Sequence, residues 1–224
     1  MQDPVYVREA FAEIAPKYVS TNHVLSLGID KLWRRRLASM VARENPSRIL
    51  DLATGTGDLA LALGKRLPSA MIVAADFCEP MLEVARERGV SNTTVADGMN
   101  LPFDDGGFDA VTIGFGLRNM EDWAGGAREM ARVIRPGGSL YVLDFSLPRN
   151  PVVRAGYRFY LHQVLNRVAG WLTGARHAYD YLGGTIEDFP SGEAMCELLV
   201  ENGFSEARAE PQTCGIASIY SAKK

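Results

Sequence analysis

The sequence contains few residues of the types that build disulfide frameworks and metal centres. Among its 224 residues there are only three cysteines and three histidines. Cys78, Cys196 and Cys214 are odd in number and form no Cys-x-x-Cys pair. The sequence therefore predicts reduced thiols, as in a cytoplasmic protein, and no metal site.

Long apolar runs and a strong excess of one charge are also missing. No uninterrupted apolar segment approaches the roughly 18 residues that a membrane-spanning helix requires. Charged side chains between Met1 and Tyr18 argue against a secretory signal, and a formal net charge of −3 argues against nucleic acid as a partner. With 47% apolar and 23% charged residues, the chain is expected to fold as one globular domain in the cytoplasm.

What the sequence does contain is a regular alternation of short apolar segments with amphipathic ones. This alternation predicts βαβ units, a mainly parallel sheet and the α/β fold class. Strands are predicted at residues 49–53, 71–75, 93–96, 108–115, 139–145, 204–209 and 216–222. Helices are predicted at residues 59–67, 79–88, 124–133 and 193–201, and across residues 1–45 with an interruption from Asn22 to Gly28.

The segment after the fifth predicted strand differs in composition from the rest. Between Phe145 and Tyr179 there is no Asp or Glu, and arginines and histidines are interleaved with aromatic residues. This pattern predicts a basic amphipathic insertion above the sheet. Three interpretations stay open: a solvated helix face, a nucleic-acid patch and a membrane-surface contact, of which the last suits the aromatic and arginine mixture. The insertion would also serve as a lid or as a homodimer contact.

We expect one domain over residues 1–224, in four parts. They are a helical cap, a ligand-binding core, a basic amphipathic lid, and a closing helix with two strands, at residues 1–45, 46–145, 146–190 and 191–224. No internal repeat, low-complexity segment or linker separates them.

The most informative segment is a glycine-rich turn after the first predicted strand. Asp51 lies in that strand, and Gly55 and Gly57 form the turn. Asp76 ends the next strand, 19 positions after Gly57. Glycines let a backbone approach a nucleoside closely, and a carboxylate at the second strand end accepts hydrogen bonds from ribose hydroxyls.

A dinucleotide site would need a third glycine and a helix N-terminus facing a pyrophosphate. Asp51 or Asp58 would repel a pyrophosphate but face the ammonium of S-adenosylmethionine, so the turn predicts a methyltransferase.

Further acidic residues recur at the predicted carboxyl ends of strands, the edge at which open α/β sheets bind ligands. Asp76 would accept hydrogen bonds from the ribose. Asp97 and Gly98 would bracket the adenine, and Phe77 or Met99 would give it apolar contact. The predicted donor-binding residues are Asp51, Thr54, Gly55, Thr56, Gly57, Asp58, Asp76, Phe77, Asp97, Gly98, Met99 and Gly114. The alternative is that each acid only caps the helix that follows it.

A second glycine-containing segment, Gly114-Phe115-Gly116-Leu117-Arg118-Asn119, follows the fourth predicted strand. Its glycines allow a ligand to approach closely. Arg118 and Asn119 would place a cation and an amide beside the transferable methyl group, and we predict both as catalytic residues. For Asn119 the alternative role is turn formation.

Several segments of the chain carry a common family pattern. They are Asp51–Asp58, Leu101–Phe103, Phe115–Asn119, Arg135–Gly138, Asp144–Ser146 and Phe189–Glu193, together with Phe11, Ile14, Ala15, Tyr18, Asn22, Trp33 and Arg34. In these segments the chain resembles the ubiquinone/menaquinone biosynthesis C-methyltransferases, and the resemblance spans nearly its whole length. The glycine turn is shared by many methyltransferases, whereas Phe-Gly-Leu-Arg-Asn is specific to this group.

The resemblance implies a Rossmann-like class I fold and S-adenosylmethionine-dependent methylation of a ring carbon on a prenylated quinol. It implies donor contacts from Thr56, Asp76, Asp97, Gly98 and Gly114, the last through backbone alone. The choice between a naphthoquinol and a benzoquinol stays open, and residues 182–186 and 212–215 depart from the family pattern. The alternatives are a methyltransferase for another lipid or small molecule, such as a phospholipid amine, and a nucleoside-binding module without catalysis.

The implied chemistry needs a proton acceptor, because a quinol carbon becomes nucleophilic when the neighbouring hydroxyl loses its proton. A phenol has a pKa of about 10, so we expect Arg118 to stabilise the phenolate as a fixed positive charge. Asn119 is expected to orient the ring oxygen. The predicted substrate-contacting residues are Tyr18, Phe115, His162, His177 and Tyr181, and all but Phe115 are candidate proton acceptors.

Overall fold

The computed structural model of the protein describes residues 4–165 and 184–224. The helices are α1 (Pro4–Leu25), α2 (Ile29–Glu44), α3 (Asp58–Arg66), α4 (Glu79–Glu87), α5 (Trp123–Val133), α6 (Pro151–Phe159) and α7 (Glu193–Glu201). The strands are β1 (Arg48–Leu52), β2 (Met71–Asp76), β3 (Thr93–Val95), β4 (Phe108–Gly114), β5 (Ile134–Phe145), β6 (Ser205–Gln212) and β7 (Ala217–Lys223). Short 3₁₀ turns lie at Leu117–Asn119 and Thr213–Gly215, a π-helical turn at Tyr160–Leu165, and a further helical stretch at residues 184–188.

The strands form a seven-stranded sheet in the order β3-β2-β1-β4-β5-β7-β6. Strands β1 to β5 run parallel, whereas β7 pairs antiparallel with both β5 and β6. Both β1 and β4 are buried along nearly their whole length, as expected for parallel strands that helices cover on both faces. The predicted α/β class with a mainly parallel sheet is confirmed.

The direction in which the chain builds the sheet reverses between β1 and β4. From β1 the chain moves outward through β2 and β3, and it then returns to β4 on the other side of β1. Open α/β sheets bind ligands at such a point, outside the carboxyl ends of the strands. Leu52 lies opposite Ile113 in the register. The glycine turn and the Gly114–Asn119 segment therefore both leave the sheet at this point.

Apolar packing holds the helices on the sheet and over its carboxyl edge. One cluster joins the sheet to α2 and α3, and a second joins it to α5 and α7. A third cluster joins α1, α4 and α6 through Ala15, Met81, Tyr157 and Leu161. Phe145, at the carboxyl end of β5, packs against this third cluster. Helices α1 and α6 consequently lie over the edge at which a ligand is expected.

Three predicted boundaries were wrong by three residues or more, and one of them is the end of β6, which lies at Gln212 rather than at residue 209. Strand β5 begins at Ile134 rather than at residue 139, because Ile134 pairs with Phe108 before the register shifts across residues 135–138 and pairing resumes at Ser139. Gly138 is needed there, since a Cβ atom would lie 2.7 Å from the carbonyl oxygen of Asp109. Helix α1 continues to Leu25, so the break before α2 is confined to residues 26–28, where Gly28 has a φ of +74°.

The predicted lid is described only in part. It begins with α6. The side chain of Asn150 caps the N-terminus of this helix by accepting hydrogen bonds from the amides of Val152 and Val153. Residues 166–183 of the lid lie outside the described residues. Among the helices that the structure does describe, none has the length and apolar character needed to cross a membrane. The division of the domain into four parts stays a prediction.

Candidate active site

The glycine turn adopts a backbone conformation that only glycine takes up easily. Gly55 and Gly57 have φ angles of +56° and +83°, which lie in the left-handed region. A Cβ atom on Gly57 would also lie 2.6 Å from a methyl group of Val90. The amide of Gly55 points at β2 and donates to Asp76 Oδ2 at 2.7 Å. The turn is therefore fixed against the strand end that carries the predicted ribose-binding acid.

Asp76 is buried at the end of β2 and is held by backbone amides. Besides the amide of Gly55, its other oxygen accepts from the amide of Cys78 at 2.9 Å. Burial raises the pKa of Asp76 to about 6, and these backbone bonds oppose the rise. The carboxylate is therefore mostly ionised at neutral pH and fixed in orientation, which suits an acceptor of two ribose hydroxyl bonds.

The two acids predicted to face the methionine ammonium have different surroundings. Asp58 forms an ion pair of 2.6 Å with Arg88, which also donates to the carbonyl oxygen of Thr56 at 2.6 Å. Asp51 is fully buried and accepts from the hydroxyls of Thr54 and Thr112 at 2.6 and 2.7 Å. Burial raises the pKa of Asp51 to about 6. A guanidinium thus compensates Asp58, whereas Asp51 has no exposed surface and is influenced by the charge of Arg34, so which of the two faces the ammonium stays a prediction.

The predicted adenine contacts lie beside Asp76. The amide of Ala96 donates to the carbonyl oxygen of Asp76 at 3.0 Å, which sets Asp97 next to the acid predicted to bind the ribose. Asp97 is exposed and accepts from the amide of Met99 at 2.9 Å. Met120 packs closely over Gly98, since a Cβ atom at this position would lie 2.5 Å from Met120 Cε. The structure thus brings the end of β3 to the edge that carries the glycine turn.

The segment after β4 is strained and tightly bonded. Phe115 has a φ of +61°, an unfavourable value for a residue with a side chain, and such strain is concentrated at functional sites. Its carbonyl oxygen accepts from Arg118 Nη1 at 2.5 Å and from Asn119 Nδ2 at 3.2 Å. A Cβ atom on Gly116 would collide with Ala53 of the glycine turn. The two segments that are predicted to bind ligands are therefore in direct contact.

Arg118 and Asp144 form a buried ion pair. Arg118 Nη1 lies 2.8 Å from Asp144 Oδ1, and the two side chains are 4% and 0% exposed. The guanidinium also lies over the ring of Phe145, 5.2 Å from its centroid. Arg118 was expected to act as a fixed positive charge, and the structure shows that Asp144 balances this charge. A hydrogen-bonding role remains open to Arg118, since its Nε is buried without a partner among the described residues.

Aromatic side chains line the same region. The rings of Phe115 and Phe145 lie 4.8 Å apart, and Trp33 packs 6.2 Å from Phe115 and 6.3 Å from Phe145. Arg34 lies over Phe115 at 5.1 Å and is held by Asp30. Sequence reasoning missed Arg34 and Asp30 as parts of this wall, because nothing local in α2 indicates that it packs against the end of β4.

The remaining predicted residues have distinct positions. Gly114 ends β4, and Tyr18 on α1 lies beside the glycine turn, 4.0 Å from where a Cβ atom of Gly55 would be. His162 is half exposed, and its Nε2 lies 3.6 Å from Glu187. This exposure and the nearby carboxylate favour a surface role for His162 over proton transfer. His177 and Tyr181 lie outside the described residues.

Sequence reasoning also missed Tyr157. In the sequence it is one of the aromatic residues of the basic insertion, whereas the structure buries its hydroxyl without a hydrogen-bonding partner among the described residues. The phenol packs in the cluster that joins α1, α4 and α6. No sequence signal distinguishes such a hydroxyl from that of an ordinary core tyrosine.

Comparisons with known proteins cover the whole chain. A family model described as the ubiE/COQ5 methyltransferase family matches residues 2–224. A demethylmenaquinone methyltransferase of Thermus thermophilus is 46% identical over 215 residues, which cover 94% of this chain and 97% of the relative. The ubiquinone/menaquinone biosynthesis C-methyltransferase UbiE of Geobacter sulfurreducens is 39% identical, covering 97% of this chain and 88% of the relative.

Solved structures share the fold at much lower identity. A SAM-dependent methyltransferase from Thermotoga maritima superposes with a TM-score of 0.69 at 17% identity, covering 97% of this chain and 99% of the other. Human N-acetylserotonin methyltransferase, solved in complex with SAM, has a TM-score of 0.62 at 17% identity and covers 92% of this chain and 57% of the other. At these identities the likeness concerns the architecture.

Proposed function

Since the chain belongs to the ubiE/COQ5 methyltransferase family, we propose that it methylates a prenylated naphthoquinol, with demethylmenaquinol as the acceptor. The protein is an S-adenosylmethionine-dependent methyltransferase of class I fold that acts in quinone biosynthesis by C-methylation. The observation that carries the function is the family match over residues 2–224. The finer choice of a naphthoquinol is supported by the name of the relative from Thermus thermophilus.

We assign the donor to the glycine turn and the ends of β1, β2 and β3. Asp76 would accept from the two ribose hydroxyls, and residues 97–99 would hold the adenine. Asp51 would face the methionine ammonium, because Asp58 is already paired with Arg88. Thr56 fits this assignment, since its buried hydroxyl has no partner among the described residues and a bound donor would supply one.

We assign the acceptor ring to the surface that Phe115, Arg118, Asn119 and Phe145 form at the ends of β4 and β5. Loss of a proton from the quinol hydroxyl spreads negative charge onto the neighbouring ring carbon, which then attacks the sulfonium methyl in line. The carbon–methyl bond forms as the sulfur–methyl bond breaks, S-adenosylhomocysteine leaves, and the ring carbon loses its proton to restore aromaticity. Because the attack neutralises charge, a dry apolar pocket favours it.

Arg118 and Asn119 would act on the quinol oxygen through hydrogen bonds. Arg118 Nε can donate to the oxygen as negative charge develops on it, and Asn119 Oδ1 can accept from a hydroxyl; both atoms are buried and lack partners among the described residues. Preorganised donors of this kind stabilise charge that develops in the transition state. The pairing of Arg118 with Asp144 fixes the guanidinium in place.

The proposal is tested by methyl transfer from labelled S-adenosylmethionine in detergent. Reduced demethylmenaquinone and a reduced prenylated benzoquinone precursor are offered side by side, with the oxidised form of each as the matched control. We expect the naphthoquinol to be methylated at least tenfold faster than the benzoquinol, and neither oxidised form to react. Preference for the benzoquinol would move the acceptor to ubiquinone biosynthesis, and transfer to neither would refute the assignment.

A peripheral membrane contact follows from the prenyl tail of such an acceptor. Large apolar side chains are exposed at the α1–α2 turn, where Leu27 is 86% exposed, and on α6, where Phe159 is 65% exposed. The hydroxyl of Tyr160 donates to the carbonyl oxygen of Leu25 at 2.7 Å, so these two regions adjoin. Arg154 and Arg158 lie on the same helix. Apolar side chains beside arginines suit the headgroup region of an anionic bilayer.

We expect Phe159→Asp to weaken binding to anionic vesicles by at least fivefold, because it removes an apolar contact and adds a repelled charge. Val200→Asp is the matched control, since Val200 is also about half exposed but lies on α7. Binding is measured by co-sedimentation at low and high salt. Equal vesicle binding by the two variants would contradict the membrane contact.

A further inference from the structure

Four buried polar side-chain atoms have no hydrogen-bonding partner among the described residues. Among the described side chains they are Thr56 Oγ1, Arg118 Nε, Asn119 Oδ1 and the hydroxyl of Tyr157. Burying a polar group without a hydrogen bond costs free energy, so such groups in a native structure call for a physical explanation. The proposed function already explains the first three as donor or acceptor contacts. It doesn't explain Tyr157, which belongs to a different element, α6.

Tyr157 belongs to an apolar cluster that residues from both halves of the proposed site pack against. Its cluster includes Phe77, which directly follows the ribose-binding Asp76, and Phe145, whose ring lies below the guanidinium of Arg118. Tyr157 is only 7% exposed. The side chain is therefore buried in the apolar cluster against which both Phe77 and Phe145 pack, close enough to Arg118 and Asp144 for their charges to act on it.

The electrostatics make Tyr157 a hydrogen-bond donor. Burial raises the pKa of Tyr157 well above its ordinary value, and the nearby charges of Arg118 and Asp144 act on it in opposite directions. The hydroxyl is consequently protonated at neutral pH. It is unsuited to accept a proton from a quinol, but it can donate a hydrogen bond to a ring oxygen.

We propose that the hydroxyl of Tyr157 donates a hydrogen bond to an oxygen of the acceptor ring and so positions the ring for attack. With Arg118 Nε–H and Asn119 Oδ1 it forms a set of two donors and one acceptor. A hydroquinone oxygen can both donate and accept, whereas the oxygens of an oxidised quinone only accept. The set therefore fits the reduced ring. This inference rests on the proposed function, because it takes the ring to be the acceptor.

Tyr157→Phe tests the inference, with Tyr160→Phe as the matched control. Tyr160 lies one helical turn further along the chain, and its hydroxyl has a partner, the carbonyl oxygen of Leu25. Replacing Tyr157 removes no hydrogen bond within the described structure, so Tm is expected to stay the same or to rise. Its kcat/KM for the quinol is expected to fall at least tenfold, mainly through KM, while Kd for S-adenosylmethionine stays within twofold. Tyr160→Phe is expected to lower Tm and to keep kcat/KM within threefold.

The possible failures are distinguishable. If the wild-type enzyme transfers no methyl group to the quinol, the proposed function fails and this inference fails with it. If the wild-type enzyme is active and Tyr157→Phe keeps kcat/KM within twofold, only the inference is overturned. A fall in Tm as large as that of Tyr160→Phe would also overturn it, because the hydroxyl would then have a partner within the protein.

Discussion

Replacing Asp76 with asparagine or alanine will weaken S-adenosylmethionine binding by about 2 to 4 kcal/mol, the cost of losing a charged acceptor shared by two buried hydroxyls. The structure gives this carboxylate a fixed orientation, because the amides of Gly55 and Cys78 hold one oxygen each. Asparagine keeps one acceptor and the shape of the side chain. We therefore expect the smaller loss for asparagine and the larger loss for alanine, measured by isothermal titration calorimetry.

A matched control separates binding from folding. Asp105 is a largely exposed acid in the turn before β4, away from the carboxyl edge of the sheet, so Asp105→Asn is expected to keep the donor affinity of the wild-type protein. Thermal unfolding of each variant without ligand reports any loss of structure. Unchanged donor affinity in a folded Asp76→Asn protein would show that the ribose lies elsewhere.

Arg118→Ala will have two effects that can be measured separately. Turnover is expected to fall by 100-fold or more while donor affinity stays nearly the same, because Arg118 is assigned to the acceptor. The variant is also expected to lose about 3 to 5 kcal/mol of unfolding free energy, because Asp144 would remain buried without its partner. Arg118 and Asp144 are 2.8 Å apart and almost fully buried. Water therefore cannot solvate the carboxylate of Asp144 once the guanidinium is removed.

A double variant distinguishes catalysis from folding. Replacing both members of a buried ion pair with apolar residues is often nearly neutral for stability. We therefore expect Arg118→Leu combined with Asp144→Leu to recover most of the unfolding free energy measured by denaturant titration, and to recover none of the turnover. Recovery of turnover together with stability would show that Arg118 has only a structural role.

The sequence allowed most of the fold to be predicted, because apolar segments and glycine or proline breaks alternate clearly. Helix α7 lies at the predicted residues, and β2 extends the prediction by one residue to Asp76. The start of β5 was missed because Pro-Gly-Gly is typical of a turn. In the structure Ile134 pairs with Phe108 across an irregularity in the sheet, which no local pattern indicates.

The sequence predicted which residues form the candidate site, but it did not predict which ion pairs and hydrogen bonds these residues make. The chain topology alone brings Asp76 to the glycine turn. The ion pair of Asp58 with Arg88 and that of Arg118 with Asp144 join residues 30 and 26 positions apart, and no spacing rule connects them. Both pairings alter the predicted electrostatics, since each compensates a charge that had been expected to face a ligand. The buried hydroxyl of Tyr157 likewise depends on how α6 packs.

The central claim is that the methyl group is transferred to a ring carbon. The most direct test uses S-adenosylmethionine labelled with ¹³C in the methyl group, reduced demethylmenaquinone as acceptor, and chemical oxidation of the product before NMR and mass spectrometry. A C-methylated quinol oxidises to a quinone that keeps the label, whereas an O-methyl ether cannot form the quinone without losing it. We predict the label on a ring carbon of the quinone. Label in a methoxy group, or no label in the quinone, would contradict the account.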